Sequence, residues 1–512
     1  MQASCLRFPA TLFQVLAIAV VTVLCACRND FEYTPSTGGL TFSKDTVFLD
    51  TIFANIASST YTLKVYNTGD TDILIPEIKL GRAASSRYRL NVDGLDGQEF
   101  QEIPLLARDS LFVFVETTVD SLDFEPTTLV YTDDLLFGAE GNFQKVVLNT
   151  LVQKARFLFP RAGNGPGPGA VIPDLEELGS EVPDNSFWLQ AGELNFNSDL
   201  PVVIYGYATV PEDSTLTIAA GTRVYFHQNS GLLVGPGASL NITGALSTDD
   251  TALENEVVFE GDRLEPGYSQ VPGQWGTVWL SENSVDNSIT NLTIKNATVG
   301  MIVDGNITNP PNALPLVNVQ IHNSAITNLW AHGASINLEN CILGNAGGAS
   351  VDLEGGRYDF VHCTLANYWA RGFRDTPTLT LRDTEDQNLE MASFENCVVD
   401  GNRSNELLLL PNTEAAFNFK FAHCALKFPE SSTAFADNPL YNFEDTNRYI
   451  AITRNPKLSF TDPLKEDFSL QEDSEVLNLG DPTIALRAPL DLLGNDRTER
   501  PDLGALQYTT KN

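Results

Sequence analysis

Basic residues are scarce in this chain of 512 residues, where 31 Lys and Arg stand against 66 Asp and Glu and leave a formal net charge of −35. Such a surface repels phosphate backbones and anionic headgroups, so nucleic acid is excluded as an expected partner. Acidity also keeps a secreted protein soluble, and nothing more specific follows from it alone. Long apolar runs are equally rare. The stretch from Leu12 to Leu24, broken by Gln14 and Thr22, falls short of the roughly 20 residues a membrane-spanning helix needs. There are five histidines, three methionines and seven cysteines, and no Cys/His spacing matches a structural zinc motif, so no metal or cofactor is expected. The length allows two or more domains, each with its own core.

What is present begins at the N-terminus. Arg7 precedes the apolar run, which ends in Leu24-Cys25-Ala26-Cys27. Charge, short apolar core and small residue together read as a signal peptide over 1–26. The end of the run resembles the lipobox of bacterial lipoproteins, with Leu24, Ala26 and Cys27 in the matching places. That resemblance implies cleavage before Cys27 and lipidation of its thiol, hence attachment to a membrane through the lipid. An ordinary secretory signal with an incidental cysteine is the alternative; Cys25 fits less well, because Thr22 would take the usual leucine place. The following Cys27-Arg28-Asn29-Asp30-Phe31-Glu32 resembles, with fewer acids, surface-export signals of some Gram-negative bacteria. The expected location is the outer membrane, with the cell surface preferred to the periplasmic face.

Residues 27–155 carry short segments of period-two alternation, such as Tyr61-Thr-Leu63-Lys-Val65-Tyr-Asn67 and Leu111-Phe-Val113-Phe-Val115, separated by turn residues. Strands of this length and spacing suggest a β-sandwich, and the region resembles the immunoglobulin-like stalks found behind lipid anchors. Alternating Gly and Pro in Arg161-Ala-Gly163-Asn-Gly165-Pro-Gly167-Pro-Gly169 cannot hold a helix or a central strand. Residues 156–186 are therefore read as a linker.

From Phe187 the chain repeats. Six copies share one phase: Leu292-Thr-Ile294-Lys-Asn296-Ala297, Val319-Gln-Ile321-His-Asn323-Ser324, Ile336-Asn-Leu338-Glu-Asn340-Cys341, Tyr358-Asp-Phe360-Val-His362-Cys363, Ala392-Ser-Phe394-Glu-Asn396-Cys397 and Phe419-Lys-Phe421-Ala-His423-Cys424. Each gives two inward apolar residues, then Asn or His, then a small residue where the chain must turn. The small residues are spaced by 27, 17, 22, 34 and 27, as a solenoid with a constant inner wall and variable side loops permits. A left-handed hexapeptide helix would keep a rigid six-residue period. With Gly273-Gln-Trp275-Gly-Thr-Val-Trp279 and the tail phrases Asp491-Leu-Leu-Gly494-Asn-Asp-Arg497 and Pro501-Asp-Leu-Gly504-Ala, the region resembles the pectate-lyase-like superfamily of right-handed parallel β-helices. The expected fold is thus all-β: an Ig-like sandwich, then a right-handed parallel β-helix over 187–434, with C-terminal coils and a cap over 435–512.

Cys341, Cys363, Cys397 and Cys424 all fall on one phase and should stack as an interior ladder. Coils about 4.8 Å apart leave a disulfide geometrically open, but buried free thiols are the commoner case. His362 and His423 sit where other copies have Asn, so a polar turn ladder accounts for them better than a metal. The lyases and hydrolases of the resembled superfamily use clustered aspartates, with Arg or Lys as base in the lyases. Here Asp133-Asp134 and Asp249-Asp250 have no phased partner, and His332-Gly333 lacks a companion glycine.

Aromatics and arginines gather instead in Tyr368-Trp369-Ala-Arg371-Gly-Phe373-Arg374-Asp375. Clusters of this composition are favoured at binding hot spots. Tyr358, Trp369, Arg371, Phe373 and Arg374 are accordingly the candidate residues for contact with a glycan or partner protein, against the alternative that the rings merely pack on the helix flank. The expected function is a non-catalytic lipoprotein that binds a glycan or partner, or serves as a subunit of an outer-membrane complex. A polysaccharide lyase or glycoside hydrolase is the alternative, so enzymatic activity is open and not preferred.

Overall fold

The computed structural model describes residues 33–510, apart from 162–164, 166–184, 250, 306–312, 413–415, 430–434 and 436–437. Cys27 lies outside the described residues. The chain divides into two compact units, Met1–Gln153 and Lys154–Asn512.

In the first unit, alternation does what the sequence implies. Along Ser110–Thr117 the side chains of Leu111, Val113 and Val115 are buried while Phe112 and Phe114 face outward. That strand pairs antiparallel with Tyr61–Asn67 and Tyr88–Val92 in a five-stranded sheet. A six-stranded sheet built on the long Thr128–Ala139/Asn142–Gln153 hairpin packs its apolar residues into the same core. Thr46–Phe53 joins this sheet parallel to Asn142–Gln153. The result is an immunoglobulin-like sandwich.

The second unit is a parallel β-helix. Its walls comprise a nine-stranded parallel sheet and a nineteen-stranded sheet that wraps two further sides. Identical phases stack on successive coils, as in Phe360–Phe394–Phe421, whose ring centroids are 4.6 and 4.7 Å apart. Each such fully buried side chain contributes on the order of 1.5–3 kcal/mol relative to exposure.

The repeat's Asn or His has a backbone reason. Asn296, Asn323, Asn340, His362, Asn396 and His423 all adopt φ between 50° and 62°, a left-handed conformation that Asn tolerates better than most residues. Their side chains then bond along the stack: Asn323 Nδ2 donates to Asn296 Oδ1 at 2.6 Å, and Asn396 Nδ2 lies 2.9 Å from His362 Nε2.

The linker bounds differ from the sequence reading. Arg156–Leu158, assigned to the linker, already pairs parallel with Val202–Ile204, and Ser186–Trp188 pairs with Tyr207–Val210. The short apolar triplet was too brief to be recognised as a rung. At the other end, coil strands continue to Thr453–Arg454, and the aromatic cluster of Phe428, Phe435, Tyr441, Phe443 and Tyr449 fills the terminal coil. The remaining tail does not close the helix end. It runs back along the flank, burying Phe460, Phe468, Leu470, Val476, Leu503 and Leu506 against Ile342, Ala366, Val398 and Ala425. Gly344 makes the approach possible, since a Cβ there would come within 2.3 Å of the Phe468 ring.

Candidate functional site

The aromatic and arginine loop separates into surface and interior. Trp369 is half-buried, Arg371 is exposed and Phe373 is 90 % exposed. Arg374 and Tyr358 are corrections to the surface assignment. Tyr358 occupies an inward rung position between Ile336 and Ala392 and is fully buried, so it cannot face a ligand on the flank. Arg374 turns inward to a bidentate pair with Glu406, with nitrogen–oxygen distances of 2.7 and 2.9 Å. Asn367 O, Thr376 O and Asn402 Oδ1 accept its remaining bonds. The arginine closes the loop; it is not a recognition group.

Cys341, Cys363, Cys397 and Cys424 are buried, free and stacked. Each thiol donates to a carbonyl of the preceding coil, Leu316, Leu338, Phe360 and Phe394 in turn. Burial pushes the thiols of Cys363, Cys397 and Cys424 well above the usual range, which makes them poor nucleophiles. His362 is pushed down to about 3 by burial and bonds Gly504 O, while His423 Nε2 lies 3.3 Å from Asp481. Among the described residues no group of three His, Cys, Asp or Glu is arranged to hold a metal.

Polar chemistry concentrates on the outer face of the nine-stranded sheet. Parallel register places Trp279, Ile302, Trp330, Asp352 and Thr380 in one column. Two residues further along each strand lie Asp304, His332, Glu354 and Arg382, on the same face because side-chain direction alternates with period two. Trp279 Nε1 and His332 Nδ1 both converge on Asp304, the latter at 2.8 Å. The His332 ring meets Trp330 edge-on at 4.9 Å. Arg382 grips Asp352 through two nitrogens and reaches Glu354 at 3.9 Å. Burial pushes the Asp352 carboxyl up, and Arg382 beside it pulls the other way.

These side chains form a largely half-buried strip, the trough, with the Trp330 indole and His332 imidazole on one coil and the Arg382 guanidinium two coils on. The Trp330 indole N–H is buried and has no acceptor among the described residues, while the rest of the ring is partly exposed. None of these residues was selected from sequence. Their only signal is polar or aromatic residues at outward positions of one wall, and reading it requires the coil-to-coil register that variable loops conceal.

Fold and trough together define an all-β chain in which a sandwich precedes a parallel β-helix with a charged and aromatic flank. No protein-family model matches the chain, and no curated protein matches it. Among solved structures it is similar to a family 123 glycoside hydrolase from Clostridium perfringens, at 6% identity and a TM-score of 0.17. That likeness spans 24% of this chain and 28% of the other. It carries no argument about activity.

Proposed function

We propose that this protein is a lipid-anchored surface lipoprotein of a Gram-negative outer membrane, held by Cys27, whose β-helix binds a glycan along the trough of the nine-stranded sheet. The observation that carries the reading is the half-buried Trp330 ring on one face with the His332–Asp304 and Asp352–Arg382 pairs. A carbohydrate offers hydroxyl acceptors and donors at short intervals together with C–H faces for aromatic rings. Pre-paired polar groups meet it without leaving an isolated charge buried. Polysaccharide cleavage finds less support, because Asp304 and Asp352 are each engaged by a neighbour on the same face, His332 and Arg382.

The test is a glycan array and affinity electrophoresis with neutral and acidic polysaccharides. Native protein should bind at least one glycan class, and Trp330→Ala should lose at least tenfold while Phe373→Ala, on the 368–375 loop, changes little. Absence of binding across the panel, or turnover of a bound polysaccharide, would overturn it. The anchor is checked separately: metabolic labelling with palmitate should mark the native protein and spare Cys27→Ser.

A further inference from the structure

The outer face of the wall covered by the tail changes character along the helix axis. In the columns that run Thr293, Gln320, Ile342, Thr364, Val398 and Lys295, His322, Gly344, Ala366, the early coils are polar and the later ones small or apolar. The tail covers the apolar part. Where it meets the polar part there is a cavity of about 300 Å³, at the lower end of the range for small-molecule sites. Its floor is Thr293, Lys295, Gln320 and His322, and its walls include Ile342, Glu466, Phe468 and Leu492.

Three groups in this cavity are incompletely satisfied. Lys295 is half-buried, and among the described residues no carboxylate approaches its ammonium within ion-pair distance. His322 is 3% exposed, its Nε2 lies 3.3 Å from Gln320 Oε1, and its Nδ1 has no partner among the described residues. Burial pushes this imidazole down to about 3, aided by Lys295, so it is neutral. Glu466 is held at φ 63° and accepts from Gln270 Nε2 at 3.0 Å. Burial pushes its carboxyl up to about 7; Lys295 on the helix wall and Arg371 on the loop oppose the rise, and Asp462 on the tail adds to it. Near neutrality Lys295 faces the void with Glu466 only partly ionised; on the neighbouring strand the carboxyls of Glu256 and Glu260 also act on it, both pushed up by burial.

We propose that this cavity binds a small amphipathic carboxylate, its anion on the Lys295 ammonium and its hydrocarbon body against Ile342, Phe468 and Leu492. Thr293, Gln320 and His322 supply the remaining polar contacts. A bound anion disfavours ionised Glu466, so binding is coupled to proton uptake there. The site is separate from the trough, and its test uses no glycan.

Isothermal titration of the full chain with acetate, butyrate, hexanoate and inorganic phosphate reads the proposal directly. Affinity should rise about three- to fourfold per added methylene, hexanoate should exceed phosphate at least tenfold, and binding should be tighter at pH 6 than at pH 8. Lys295→Met should lose at least tenfold, and Glu466→Gln should bind equally at both pH values. Leu493→Trp fills the cavity from its rim, where Leu493 is partly exposed, and should block binding even where Lys295→Met fails to fold. Phosphate binding as well as hexanoate, no dependence on chain length, or undiminished binding by Leu493→Trp would each overturn the proposal.

Discussion

The buried pair between Arg374 and Glu406 offers the sharpest test of how the side loops are fixed. The two side chains are 2% and 0% exposed. Glu406 also accepts from Thr378 N and Oγ1 at 2.9 and 2.8 Å and from Arg403 N at 2.7 Å. Replacing Arg374 by Met leaves a carboxylate in the interior with its charge partner gone, a change that costs about 3–5 kcal/mol. Adding Glu406→Leu removes that stranded charge, but strands the Thr378 donors at about 1–3 kcal/mol. The double variant is therefore expected to be no less stable than Arg374→Met and to remain below the native chain.

Two compact units and a stack of coils make one melting temperature a poor readout. Native-state hydrogen exchange at the Thr378 and Arg403 amides reports the local opening energy instead. At 1.4 kcal/mol per decade, Arg374→Met should speed their exchange by roughly two to three and a half powers of ten. An acceleration below tenfold would refute the claim that this pair holds the loop.

Three further outcomes follow from the same geometry. Native protein at pH 8 should leave the thiols of Cys341, Cys363, Cys397 and Cys424 unmodified by a disulfide reagent, whereas unfolded protein should expose all four; fast modification of the native state would contradict the ladder. Asn396 is at φ 54° and its side chain bonds both His362 and Asp481. Asn396→Gly should therefore lose the bonds alone, and Asn396→Ala should cost about 1 kcal/mol more by denaturant titration, from left-handed strain. Finally, the Glu466 carboxyl sits at about 7 when folded, above the ordinary range of the unfolded chain. Its contribution to tail docking is complete below that ordinary range and is lost as pH rises through about 7. Exchange protection of Phe460–Asp462 and Asp467–Leu470, corrected for intrinsic rate, should then be weaker at pH 8 than at pH 5, and Glu466→Gln should flatten the difference.

The inner wall of this protein was legible because it obeys local rules. Period-two alternation, the recurrent Asn or His and the small residue after it each answer to one strand or one turn, so Leu292-Thr-Ile294-Lys-Asn296-Ala297 could be aligned with its five relatives. The outer faces obey no such rule. Arg374 and Phe373 are neighbours in sequence, yet one is buried against Glu406 and the other projects into solvent. Nothing local distinguishes them, since the carboxylate that draws Arg374 inward lies on the following coil. Trp330, His332 and Asp304 were hidden likewise: their proximity depends on the register of 299–304 with 327–332, across an interval whose length varies from coil to coil.

The tail shows why the flanks differ in what they can do. A parallel β-helix with apolar residues on an outer face must cover them or lose solubility. Here Ile342, Val398 and Ala425 are covered by the chain's own C-terminal segment. Arg497 braces that cover internally by donating to Gly504 O and Ala505 O at 2.9 Å each, and Gly504 N and Ala505 N donate in turn to Asn396 O and Thr364 Oγ1 on the wall. Charged side chains impose the opposite outcome on the nine-stranded sheet, where Asp352, Glu354 and Arg382 compensate one another and can stay half-exposed. One flank is thus committed to holding the tail, and the cavity forms where its apolar surface ends. The other combines aromatic surface with polar groups already paired, so it stays partly exposed without an isolated buried charge.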